Sequence, residues 1–256
     1  MISGKRVIAA MLTALMAVTF TANTAVSVYA TGVTATENAQ TIDAQSTDAQ
    51  ALTPEEQKAQ ELQQVYDMPV ESNGYKDWPQ GPGTYGEAGI VMEVGTGTIL
   101  YAKNIDAHEY PASITKVLTA LVALENGQLT DNVTFSHDSV AFLQRGDSSV
   151  GLKEGNVITL DQAMHAMLLA SANEAAYAIG ESVGVNAGHD YNWFIEQMNS
   201  RCKELGGENS NFANTNGLHD PNHYTCARDM ALIGRELFKH PEFFQIVQTL
   251  NYTIPA

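Results

Sequence analysis

The sequence predicts an α/β (α+β) domain in which a helical cluster packs on an antiparallel sheet. Three observations predict it. Two β-prone runs flank a glycine turn early in the folded part, an apolar helix follows them directly, and the rest of the chain shows helical periodicity with few strands. The 256 residues allow one sizeable core.

The first segment lies outside that core. Lys5 and Arg6 precede an apolar run from Val7 to about Phe20, and Val28-Tyr29-Ala30 places small residues at the cleavage positions. Residues 1–30 therefore read as a secretory signal peptide, too short in its apolar run to span a bilayer comfortably. The expected location is extracytoplasmic, in the cell wall or on the outer face of the cytoplasmic membrane. Removing two cations and no anions takes the formal charge from −16 to −18. So acidic an exported chain is repelled by nucleic acid and by anionic lipid.

Residues 31–65, rich in Ala, Thr, Gln, Asp and Glu and without an aromatic, read as a disordered low-complexity linker. Its end, from Pro54 to Val65, has the composition of a short helix. Residues 66–256 form the expected domain, opened by an extended segment to 87 that carries Trp78, prolines and tyrosines and packs onto it.

The hairpin signal is Ala88 to Val94 and Thr98 to Ala102 around Gly95-Thr96-Gly97. A loop with Asn104 leads to Pro111 and an apolar helix from about Ser113 to Asn126, stopped by Gly127 and hydrophobic almost all round, hence central. A short strand is expected at Val133 to Phe135. Thr159-Leu160-Asp161-Gln162 is a capping box opening a helix to about Ala170. Ser171-Ala172-Asn173 interrupts the pattern, which resumes from Glu174 to Val183; another helix runs from Asp190 to Leu205. Cys226 to Phe238 reads as the last helix, and the end of the chain as strand-like.

Chemistry enters at Ser113-Ile114-Thr115-Lys116. Positions i and i+3 share a helix face, so this spacing can bring Ser113 Oγ to Lys116 Nζ. A desolvated lysine with a lowered pKa can take the proton of a serine nucleophile. Ser-x-x-Lys alone is weak, since about 0.4 matches arise from composition. A second match, Ser200-Arg201-Cys202-Lys203, lies mid-helix and reads as a solvent-facing coincidence. Ser171 and Asn173, two apart at a helical break, are either helix caps or side chains aimed into a shared cleft. His219 and His223 resemble a metal pair, but Pro221 disfavours the helix that would align them, so no metal is expected there. No cofactor is implied either. Cys202 and Cys226 can pair after export or remain buried thiols.

Taken in order, the hairpin, Pro111-Ala112-Ser113-x-x-Lys116, Ser171-x-Asn173-Glu174-Ala175-Ala176, Phe212 to Leu218 and Ala227-Arg228-Asp229-Met230 resemble the penicillin-binding serine D-Ala-D-Ala carboxypeptidases, from about residue 86 onward. The resemblance implies a β-lactamase/transpeptidase-like fold and a site with Ser113 as nucleophile, Lys116 as general base, Ser171 as proton relay and Asn173 binding substrate. Its implied partners are a peptidoglycan stem peptide, trimmed of its terminal D-alanine, and β-lactam antibiotics. The family's third motif, Lys-Thr-Gly, is absent, because no lysine here is followed by Thr-Gly or Ser-Gly. The expectation is a domain with its C-terminal strands missing, and membrane association through a C-terminal segment not in this chain. The competing expectation is a catalytically inactive, truncated or pseudoenzyme protein that binds cell wall. A β-lactamase is disfavoured because Glu-x-x-x-Asn is not found near Glu204 and Glu208. The resemblance also places Thr225, rather than Cys226, as the cap of the last helix.

Overall fold

The structure is a computed structural model that describes residues 52–254. The signal-peptide reading and most of the linker lie outside the described residues. The chain divides into two units after Gln63. Helix α1, Pro54–Tyr66, begins in the first of them. Its start is a capping box: the Thr53 N–H donates to Glu56 Oε2 at 2.8 Å and Glu56 N–H to Thr53 Oγ1 at 3.3 Å.

In the second unit, β1 (Gly89–Met92) and β2 (Ile99–Lys103) pair antiparallel with a bulge between Val91 and Met92. Gly97 sits in the connecting turn at φ 76°, a conformation that favours glycine. No further strand pairs with β1 among the described residues. The outer edge of β2 is covered by the segment before the hairpin. Trp78 Nε1 donates to the Leu100 carbonyl at 2.9 Å, the Ala102 N–H to Ser72 Oγ at 3.2 Å, and the Asn104 N–H to Glu71 Oε1 at 2.9 Å. Fully buried Lys103 ties the segment down by donating to the carbonyls of Val65 (2.6 Å) and Thr84 (2.7 Å).

The helical cluster surrounds α2 (Thr115–Asn126), whose residues Leu118 to Ala123 are all buried. Around it stand α4 (Leu160–Leu169), α5 (Asn173–Asn186), α6 (Tyr191–Glu204) and α7 (Ala227–Leu237). The predicted capping box of α4 is present, with Thr159 Oγ1 and Gln162 exchanging hydrogen bonds. A second small sheet pairs β3 (Asn132–Thr134) with β4 (Val157–Thr159). Helix α3 (His137–Ala141) lies between them, capped by Ser136. Ile90, Ala102 and Ile105 form a separate apolar cluster against Ala227 and Ala231 of α7. Arg235 of α7 fixes the hairpin turn by donating to the carbonyls of Val94 and Gly95.

Three expectations are corrected. Cys226–Phe238 is not the last helix: α8 spans Pro241–Val247, started by Pro241 in its first turn, and buries Phe243 and Ile246. The chain end is not a strand; residues 251–254 are irregular, with Tyr252 stacked on His165 at 3.7 Å. Helix α7 is capped by Cys226 after all, whose Sγ accepts from the Asp229 N–H at 3.4 Å, while Thr225 Oγ1 is held by Ser210. A thiol does here what a hydroxyl usually does, and burial pushes its pKa up to about 11, so it stays protonated. Cys202 and Cys226 are both free and buried.

Candidate active site

The chain enters α2 through a short 3₁₀ turn, Ala112–Ile114, rather than directly as an α-helix. Ala112 adopts φ 47°, a left-handed conformation costly for a residue with a Cβ. This turn lifts Ser113 to the exposed mouth of the site while Lys116, in the first turn of α2, is buried beneath it at 3 % exposure.

Lys116 Nζ has three oxygen neighbours. Ser113 Oγ lies at 3.1 Å, Asn173 Oδ1 at 2.8 Å and the Asn216 carbonyl at 2.6 Å. Burial away from water disfavours the ammonium and brings the pKa down to about 8, against a smaller opposing pull from the charge of Glu174. The neutral amine has two N–H bonds and one lone pair. Two of its neighbours are carbonyl oxygens that only accept, so they take the N–H bonds and the lone pair falls toward Ser113 Oγ. The arrangement can therefore remove the serine proton.

Ser171 and Asn173 flank the start of α5, and neither caps it: the N-cap is Ala172, with no side-chain bond. Instead Ser171 Oγ donates to Ser113 Oγ at 3.0 Å, and Asn173 is bonded to Lys116. Ser171 is held at φ 56°. Two non-glycine residues in this conformation, on the two sides of one Oγ–Oγ contact, store of the order of 1–3 kcal/mol each. All four residues singled out in the sequence thus meet in one cluster. The second Ser-x-x-Lys does not resemble it, since Ser200 is exposed and bonded to Glu204.

Several contributors were assigned no role from sequence. The 214–218 loop is shaped by asparagine turns, Asn214 Oδ1 accepting from Gly217 N–H at 2.7 Å and Asn216 Oδ1 from Leu218 N–H at 2.9 Å. Gly217 has φ 85°, and a Cβ there would stand 1.8 Å from the Ala112 carbonyl oxygen. Only glycine lets this loop press against the serine turn and deliver the Asn216 carbonyl to Lys116. The Asn-Gly dipeptide was the available signal, as a turn. His223, far from the metal role considered, accepts from the Ala213 N–H at Nδ1 (2.9 Å) and so presents Nε2–H to Thr115 Oγ1 (2.7 Å). Burial lowers its pKa to about 4 and keeps the ring neutral. His219 packs edge-on against Tyr110 instead. No group of three metal-ligating side chains exists among the described residues.

A helical cluster against antiparallel strands, with Ser-x-x-Lys entering the central helix and Ser-x-Asn facing it, is the plan of the β-lactamase/transpeptidase-like superfamily. Over residues 79–254 the chain matches the D-alanyl-D-alanine carboxypeptidase family and belongs to it. It is 33% identical over 170 residues to D-alanyl-D-alanine carboxypeptidase DacA of Haemophilus influenzae, covering 64% of this chain and 42% of that protein. It is 32% identical over 168 residues to DacF of Bacillus subtilis, covering 64% and 41%. Penicillin binding protein 5 from Haemophilus influenzae superposes with a TM-score of 0.61 at 29% identity, over 69% of this chain and 52% of that one. The Streptomyces K15 DD-transpeptidase gives 0.58 at 30%, over 62% and 63%. The chain thus spans less than half the length of those two curated relatives.

Proposed function

We propose that this chain carries the acylation site of a serine D-alanyl-D-alanine carboxypeptidase that acts outside the cytoplasmic membrane on peptidoglycan stem peptides. The observation that supports this most is the three-way bonding of buried Lys116, which leaves one direction for its lone pair, toward Ser113 Oγ.

In this reading neutral Lys116 takes the Ser113 proton as Oγ attacks the carbonyl carbon between the two terminal D-alanines. The oxyanion forms beside the Ser113 N–H, which at the start of a helical segment has no intrahelical acceptor. Collapse breaks the peptide C–N bond, and Ser171, bonded to Ser113 Oγ, relays the proton from Lys116 to the leaving amine. Asn173 keeps its Oδ1 on Lys116 and offers its Nδ2 protons to a substrate carbonyl. Water then hydrolyses the ester, giving its proton to the same pair. A β-lactam acylates Ser113 by the same attack, with its ring amide as the broken bond, and leaves slowly.

The test is release of D-alanine from an acetylated L-Lys-D-Ala-D-Ala peptide. Release that is abolished by Ser113→Ala supports the reading. Release unaffected by Ser113→Ala overturns the nucleophile. Absence of both release and β-lactam adduct would overturn the proposal in favour of a catalytically inactive protein.

A further inference from the structure

Glu174 is fully buried, directly after Asn173 in the first turn of α5. One carboxylate oxygen, Oε1, accepts from Ser149 Oγ at 2.7 Å, Val150 N–H at 2.8 Å and Gly151 N–H at 3.2 Å. The other, Oε2, is buried with no hydrogen-bond partner. A structural anchor alone does not account for this, because a buried carboxylate with an idle oxygen is costly, and an amide would serve the same donors through its carbonyl. The residues it holds, 149–151, belong to an exposed loop that is also tied here by the Asn173 N–H on the Ser148 carbonyl at 2.9 Å. That loop and the Ser171–Asn173 turn are therefore one rigid unit with Glu174 beneath it.

The charge also has a recipient. The groups that face Lys116 Nζ are Ser113 from the 3₁₀ turn, Asn173 from α5 and the Asn216 carbonyl from the 214–218 loop, all uncharged. Glu174, next in the chain to Asn173, is the acidic side chain that acts on that amine, raising its pKa against the larger lowering by burial. This attraction is smaller than the effect of burial, and it opposes the loss of the proton from lysine.

We infer that Glu174 is a positioning residue of the acylation site, whose buried carboxylate clamps the 149–151 segment onto the Ser171–Asn173 turn and places an acidic group next to Asn173, the partner of Lys116. Two roles in one side chain explain why a charge stands there although three of its bonds need only an acceptor. Without it Lys116 would be neutral to lower pH but a weaker base; with it the amine can hold the proton it takes from Ser113 until the leaving group needs it. This assignment rests on the proposed Ser113–Lys116 chemistry for its second half only.

The experiment uses Glu174→Gln, which keeps an acceptor and removes the charge, Glu174→Asp, which keeps the charge and shortens the reach, and Glu174→Ala. Acylation by a fluorescent penicillin is followed from pH 5.5 to 10, and amide hydrogen exchange is measured at Val150 and Gly151. For Glu174→Gln the half-maximal pH should move toward acid by on the order of one pH unit, with a lower plateau rate and near-normal exchange. Glu174→Asp should keep the midpoint and speed exchange, and Glu174→Ala should do both: shift the midpoint and speed exchange at least tenfold. An unshifted midpoint in Glu174→Gln overturns the electrostatic role, and unchanged exchange in Glu174→Ala overturns the clamp. Should Glu174→Gln not fold, a midpoint in Glu174→Ala equal to the parent's overturns the same electrostatic claim. Failure of the parent protein to acylate would instead refute the proposed function, while the exchange measurement still decides the clamp.

Discussion

Raising the pH from 7 to 9 should accelerate acylation of Ser113 about tenfold, because the base is the neutral form of Lys116. Its amine ordinarily titrates at 10.5 and is brought down to about 8 by burial. With that value about one molecule in eleven carries a neutral lysine at pH 7, and about ten in eleven do at pH 9. The sign follows from the direction: a lowered lysine pKa means that the active, unprotonated form accumulates above about 8, and that the rate falls tenfold per pH unit well below it. The assay is the second-order rate of labelling by a fluorescent penicillin at constant ionic strength, read from gel bands between pH 5.5 and 10. Lys116→Ala should remove the rising limb together with at least a hundredfold of the rate. A rate flat between pH 6 and 9, or a midpoint near 10.5, the ordinary lysine value, would refute the buried-amine base.

Other outcomes follow from the same geometry. Gly217→Ala should destabilise the protein by more than about 2 kcal/mol in urea unfolding and slow acylation, because its Cβ would meet the Ala112 carbonyl and its φ is left-handed. His223, buried neutral with its pKa lowered from 6.5 to about 4, binds fewer protons folded than unfolded in that window. Stability should therefore be full above pH 6.5 and fall by about 3 kcal/mol as the pH drops toward 4. Comparing wild type with His223→Gln by urea unfolding at pH 7 and 4.5 isolates this loss; an equal loss in both proteins would contradict it. Lys103→Met should expose the segment before the hairpin to trypsin at Lys76, since the variant gives up both carbonyl contacts that hold Val65 and Thr84. Unchanged cleavage would show that Trp78 and Ser72 suffice.

Much of this was legible in the chain because the signals were local. Gly97 marked the hairpin, Thr159 and Gln162 the capping box, Gly127 the helix stop, and the Ser171–Asn173 break stood out against an Ala- and Leu-rich pattern. The face-sharing of Ser113 and Lys116 needed only helical spacing, although the serine lies on a 3₁₀ turn before α2. What escaped was non-local or backbone-borne. The Asn216 carbonyl reaches Lys116 across 100 residues, and a main-chain oxygen leaves no mark on residue type. Glu174 stands in a helix's first turn, where acidic residues are common, and its hydrogen-bond partners lie in a loop more than twenty positions upstream. Helix α8 is too short for periodicity to outweigh its aromatic, strand-like composition. The family resemblance favours a hydroxyl as the cap and so points to Thr225, yet the buried Cys226 thiol, a weak acceptor, fills the position without competition from water.

The central claim is that Ser113 is the residue acylated. Benzylpenicillin treatment followed by trypsin and mass spectrometry tests it directly, because cleavage after Lys103 and Lys116 isolates a peptide, residues 104–116, whose one serine is Ser113. The prediction is a single adduct on that peptide, absent from Ser113→Ala. An adduct on the peptide containing Ser200, or one that persists in Ser113→Ala, would contradict the account.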